Sequence, residues 1–87
     1  MWFVYILKCK NSDLYTGVTN NLQRRFGEHK SGKGGHFTKS FGAEAILYSE
    51  EYPDKIAALK REAQLKGWTR KKKLALISGN KKLLKKL

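Results

Sequence analysis

The chain opens on an unbroken apolar run, Met1 to Leu7, within a stretch from Trp2 to Cys9 rich in aromatic and β-branched residues, which predicts a strand. Asn11-Ser12-Asp13 supplies turn chemistry, and Leu14 to Thr19 resumes the strand pattern, so the first twenty residues predict a β-hairpin. Asn20 or Asn21 can then cap a helix running through Leu22, Arg25, Phe26 and His29, which Ser31-Gly32-Lys33-Gly34-Gly35 ends in a flexible loop. Ala45 to Ser49 predicts a third strand. Pro53 suits the first turn of a second helix reaching about Lys66, where Gly67 interrupts, and Thr69 can cap a third ending near Ser78-Gly79. The order β-β-α-β-α-α predicts an α+β domain: a three-stranded antiparallel sheet flanked by three helices, whose cover so small a sheet requires.

Several polar residues interrupt this pattern where it should be apolar. In the first helix Leu22, Arg25, Phe26 and His29 fall at i, i+3, i+4 and i+7, so a guanidinium and an imidazole reach the core boundary. Either both snorkel to water or pair with carboxylates, or they form a phosphate clamp with a second polar group. In the second helix Ala58, Leu59, Ala63 and Leu65 span an apolar arc that contains Glu62, the one acidic residue after Asp54. Glu62 can pair with a Lys or Arg, or it can hold Mg²⁺ or Mn²⁺, ions that often use one or two protein carboxylates. Strand alternation puts Tyr5 and Tyr15 on a shared face, as core aromatics or as reacting groups.

Eighty-seven residues at 10.0 kDa allow one core. We expect a domain over 1–80 and a basic tail over 81–87 that is either frayed or a short amphipathic helix. The net charge of +12 favours a polyanionic partner, nucleic acid first, over an anionic lipid surface or a mere solubility device. Residues 55–87 hold twelve basic side chains against Glu62 alone. A lone cysteine, Cys9, excludes an intramolecular disulfide, and with two histidines it makes no zinc cage. The run Met1 to Leu7 falls short of the ~20 residues of a membrane span and lacks signal-peptide flanks, so a cytoplasmic protein is expected, with no membrane and no obligate protein partner.

Two phenols, an arginine, a histidine and a carboxylate are the parts that phosphodiester hydrolysis requires. In their order and spacing they resemble the GIY-YIG nuclease domain superfamily, in particular its small stand-alone bacterial, UPF0213-like members. Phe3-Val4-Tyr5 corresponds to the first motif and Tyr15-Thr16-Gly17 to the second, ten residues on. Arg25 and His29 follow in an R-x-x-x-H arrangement, and Glu62 stands in the Arg61-Glu62 pair. Phe3 replaces the Gly of the first motif and Thr16 the Ile of the second. The resemblance covers residues 2 to about 80.

The resemblance implies a metal-dependent endonuclease acting on DNA, before RNA, in repair or recombination at branched, flapped or damaged structures. Glu62 would hold one Mg²⁺ or Mn²⁺, Arg25 would neutralise phosphoryl charge, and Tyr5 would act as base or proton relay. Tyr15 and His29 would complete the site, while Gly17 allows close packing. Lys30, Lys33, His36 and Lys39, around the Gly-rich loop, are expected to touch substrate. The alternatives are a non-catalytic nucleic-acid-binding module with a vestigial site, which leaves Glu62 no role beyond pairing, and a protein whose basic tail docks an acidic partner.

Overall fold

A computed structural model describes residues 1–30 and 43–86. Strands β1 (Trp2–Cys9), β2 (Leu14–Thr19) and β3 (Ala43–Tyr52) form one sheet in the order β2-β1-β3, antiparallel throughout. Helices α1 (Leu22–Lys30), α2 (Lys55–Lys66), α3 (Arg70–Ser78) and α4 (Lys81–Lys86) complete the α+β architecture. Of the two readings of the basic end, the short helix holds over 81–86.

The boundaries follow local chemistry. The β1–β2 turn is closed by Ser12 N–H to Cys9 O at 2.8 Å and Cys9 N–H to Asp13 O at 2.9 Å. The Asn11 side chain braces it, donating to Asp13 Oδ2 at 2.9 Å and accepting from the Asp13 amide at 3.1 Å. This lets Ser12 adopt a left-handed φ of 72°. Asn21 caps α1, accepting the Arg24 amide at 3.0 Å, while Thr69 caps α3 and Gly79, at φ 74°, ends it in the left-handed region. Two expectations are corrected. Asp54 caps α2 by accepting the Ala57 amide at 2.8 Å, which leaves Pro53 one residue ahead of the cap. The third strand runs to Tyr52 rather than stopping at Ser49, because Glu50 and Tyr52 keep pairing with Val4 and Trp2.

β1 is the centre of the molecule, and helices cover both of its faces. Its buried run Val4-Tyr5-Ile6-Leu7 therefore lacks the apolar-polar alternation of a one-sided sheet. On one face Val4 packs with Ala58 and Leu65 of α2, bordered by Trp2, Val18, Tyr52, Trp68 and Leu76. On the other Tyr5 and Leu7 pack with Tyr15 of β2 and with Leu22 and Phe26 of α1. Each such side chain, fully buried, contributes about 1.5–3 kcal/mol. The expected arc of α2 is corrected here: Ala58 and Leu65 are buried, but Leu59 is 41% exposed and Ala63 faces solvent. Arg61 and Glu62 take the half-buried positions between Ala58 and Leu65 instead.

Candidate active site

Pairing of Tyr5 with Gly17 and of Leu7 with Tyr15 puts both candidate phenols on the α1 face of the sheet, as expected. The Tyr5 ring crosses β2 directly over Gly17. A Cβ built on Gly17 would lie 2.5 Å from Tyr5 Oη and 2.7 Å from Cζ, so a side chain there would displace the phenol. Glycine at this position is a requirement of close approach, with no unusual backbone angle involved. The Tyr5 and Tyr15 rings stand 6.3 Å apart, and Tyr15 lies 4.8 Å from the His29 ring.

α1 delivers two further groups to this ring cluster. His29, fully buried, meets Tyr5 Oη with Nε2 at 2.9 Å, so the reading in which it snorkels to water is excluded. Burial, followed by the nearby Arg25 charge, pulls its pKa down to about 4, and the ring is neutral at pH 7. Arg25 lies one turn earlier, 3.5 Å from Glu28, and hydrogen-bonds towards Tyr5 and Tyr15. Burial raises the pKa of Tyr5, with Tyr15 and Glu62 adding to the rise, while hydrogen bonding and charge from Arg25 oppose it. Glu62 on α2 is thus near enough for its charge to register at this phenol. Its carboxylate, 19% exposed, pairs with Lys66 at 3.5 Å. Lys30 ends α1 and is exposed, while Lys33, His36 and Lys39 lie outside the described residues.

The family described as "GIY-YIG catalytic domain" matches residues 1–75. This chain belongs to the GIY-YIG family. It is 46% identical over 78 residues to a UPF0213 protein of Clostridium perfringens, covering 90% of this chain and 84% of the relative. A UPF0213 protein of Staphylococcus haemolyticus is 40% identical over 75 residues, covering 86% and 92%. The solution structure of a UPF0213 protein from Bacillus halodurans superposes with a TM-score of 0.57 at 38% identity, over 90% of this chain and 84% of that one.

The GIY-YIG motifs can now be placed on the fold. The first ends on Tyr5 and the second runs from Tyr15 to Gly17, neighbours across the β1–β2 ladder. Thr16, where the motif has Ile, faces the opposite side of the sheet against Ile6, and its buried Oγ1 has no partner among the described residues. The family implies a divalent cation. Among the described residues no group of three or more His, Cys, Asp or Glu side chains could enclose one. The donor set therefore does not fit a closed cage; the single carboxylate of Glu62, paired with Lys66, is of the kind that a hard, hydrated cation would take.

A second polar cluster, not anticipated from the sequence, lies on the α2 face. Arg61 grips Glu50 with two bonds, Nε to Oε1 at 2.9 Å and Nη2 to Oε2 at 3.1 Å. Tyr48 and Tyr52 donate to the same carboxylate at 2.6 and 2.7 Å. Arg61 also reaches Gln64 at 2.7 Å and stacks over Trp68 at 5.1 Å. Burial pushes the Glu50 carboxyl up, but the bonds from Arg61, Tyr48 and Tyr52 outweigh it and hold the pKa below its ordinary value. Burial, then the bond to Glu50, pushes Tyr48 to about 12. The period-two series Tyr48, Glu50, Tyr52 was the available signal, hidden because the predicted strand stopped at Ser49.

Proposed function

We propose that the chain is a metal-dependent endonuclease that hydrolyses DNA phosphodiester bonds, with a preference for branched or flapped structures. The observation that carries this reading is the Tyr5–His29 contact: a buried phenol hydrogen-bonded to a neutral imidazole beside a guanidinium. In the tautomer with its proton on Nδ1, His29 accepts the Tyr5 hydroxyl proton at Nε2.

Water attacks phosphorus as its proton passes to Tyr5 Oη and the Tyr5 proton passes to His29 Nε2, so no free phenolate has to form. The P–O bond to the leaving strand breaks, and the leaving oxygen takes a proton from solvent. Arg25 stabilises the charge that develops on the phosphoryl oxygens and the partial charge on Tyr5 Oη. His29 holds its proton only briefly, because its buried position disfavours the imidazolium, and it returns the proton through Tyr5 Oη. Tyr15 packs on the imidazole and fixes the plane in which Nε2 meets the phenol. Glu62 would hold the cation, which when bound supplies Lewis-acid stabilisation of the phosphate.

The test compares wild type and Glu62→Ala on linear, flapped and four-way DNA, with Mg²⁺ or Mn²⁺ and then with chelator. Cleavage by wild type that chelator stops, together with binding but no cleavage by Glu62→Ala, supports the reading, and the preferred substrate identifies the structure recognised. Equal binding by both proteins without cleavage under any metal overturns it and leaves a nucleic-acid-binding module.

A further inference from the structure

An open cleft of about 280 Å³ lies between the β1–β2 turn and the start of α3, lined by Asp13, Leu14, Arg70 and Lys73. That volume is below the range usual for drug-sized ligands. We propose that this cleft binds a backbone phosphate of the nucleic-acid strand, flanking the bond to be cut. The inference rests on the nuclease reading for its substrate.

Arg70 and Lys73 stand at i and i+3 on α3 and so present both cations to one cleft. Among the described residues no carboxylate forms an ion pair with either. Asp13, on the far wall, is already engaged with Asn11 through its side chain and its amide. Lys73 is half-buried, and burial, followed by repulsion from Lys66, lowers its pKa. The first turn of α3 reads Arg70-Lys71-Lys72-Lys73 without an acidic residue. Cations at the positive end of a helix cost stability, so this run weakens the isolated domain and favours an anion supplied from outside.

Position links the cleft to Glu62 on the α2 side of the sheet. Leu14, in its wall, precedes Tyr15 on the edge strand β2 but points to the opposite, α2 face of the sheet, the side on which Glu62 is carried. Lys66 joins Glu62, with which it pairs, to Lys73, whose charge it opposes. A strand held at Glu62 thus has Lys73, and Arg70 one turn before it, beside its continuing backbone.

The experiment measures binding of a flapped DNA duplex without metal over a range of salt, for wild type, Arg70→Gln, Lys73→Gln and the control Lys60→Gln on the exposed side of α2. Titration with inorganic phosphate, followed through amide shifts at residues 13–15 and 70–73, separates the anion itself from the polymer. Each cleft substitution is expected to weaken binding on every sequence and to reduce the log–log salt slope by about one, with Lys60→Gln changing it less. Slopes and phosphate shifts unaltered in the cleft variants, or an equal change in Lys60→Gln, overturn the cleft. Binding to anionic vesicles through Arg70 and Lys73, without binding to DNA, overturns it as well. If wild type cuts DNA while the cleft variants bind like wild type, the cleft fails and the nuclease reading stands. If the variants lose binding as expected but no protein cuts, the cleft stands and catalysis fails.

Discussion

The two faces of β1 carry polar clusters with nearly the same parts and opposite electrostatics. On the α2 face two tyrosines and an arginine converge on Glu50, so that four hydrogen bonds end on one carboxylate and its charge is matched by Arg61. On the α1 face two tyrosines and an arginine surround a neutral imidazole, and among the described residues Tyr5 Oη meets His29 rather than a carboxylate. A buried carboxylate ringed by donors is at rest, because any proton movement would break a charge-matched network. A phenol between a guanidinium and a neutral base is able to pass a proton on. On the nuclease reading the same residue types make a brace in one place and a relay in the other, and the acceptor at the centre decides which.

The sharpest way to break this comparison is to remove one hydroxyl. Tyr5→Phe keeps the ring over Gly17 and deletes the bond to His29. On the nuclease reading, cleavage falls by about two to four orders of magnitude, as expected for loss of general acid–base catalysis. The stability cost stays near that of one hydrogen bond, about 1 kcal/mol. Single-turnover cleavage and a thermal melt on the same sample check both halves. A large drop in melting temperature with cleavage intact would make the α1 cluster a second brace.

Protonation tests the relay from the other side. The folded pKa of His29, about 4, lies below its unfolded value of 6.5, so between these the unfolded chain binds the extra proton. Stability is complete above pH 6.5 and declines as the pH falls towards 4. The total loss is about 3 kcal/mol at ~1.36 kcal/mol per unit. The Glu50 carboxyl, held below its ordinary value, loses its contribution only at lower pH, so the interval from about 6.5 to 5 isolates the imidazole. Denaturant unfolding across that interval should slope for wild type and flatten for His29→Gln. That variant retains His36, so the difference belongs to His29. Equal slopes would mean that His29 is not held neutral by the fold.

How much of this was legible beforehand divides along the same line. The α1 cluster was legible because its polar residues sit where periodicity calls for apolar ones: Arg25 and His29 on the stripe of Leu22 and Phe26, and Tyr5 and Tyr15 on one face of a hairpin. The burial of His29 was not, since spacing cannot tell a snorkelling ring from one sealed beneath Tyr5 and Tyr15. The Glu50 brace was missed for a different reason. Glu50 and Arg61 are eleven residues apart on separate elements, and each alone reads as an ordinary surface charge. Their pairing also sets the rotation of α2. Turning Leu59 inward would carry Arg61 away from Glu50, which is why half of the predicted apolar arc faces water. The cleft at Arg70 and Lys73 was hidden within an undivided run of positive charge.

The smallest expected effect sharpens the contrast from the side of the brace. Arg61→Lys keeps the charge but loses the planar fork that holds Glu50 through two bonds, and its ammonium cannot reproduce the stacking over Trp68. With both partners about one-fifth exposed, solvent screens part of the loss, and we expect a destabilisation of about 1–2 kcal/mol. On the nuclease reading, the variant should cut DNA at the wild-type rate below its melting temperature, because Arg61 is committed to Glu50 and is none of the residues assigned to the reaction. A double-mutant cycle with Glu50→Gln, followed by urea unfolding, should return a coupling free energy of the same size. Zero coupling would reduce the ion pair to a surface contact. A fall in cleavage without a fall in stability would instead mean that Arg61 orients Glu62, the next residue on α2, and that the brace and the relay are one device.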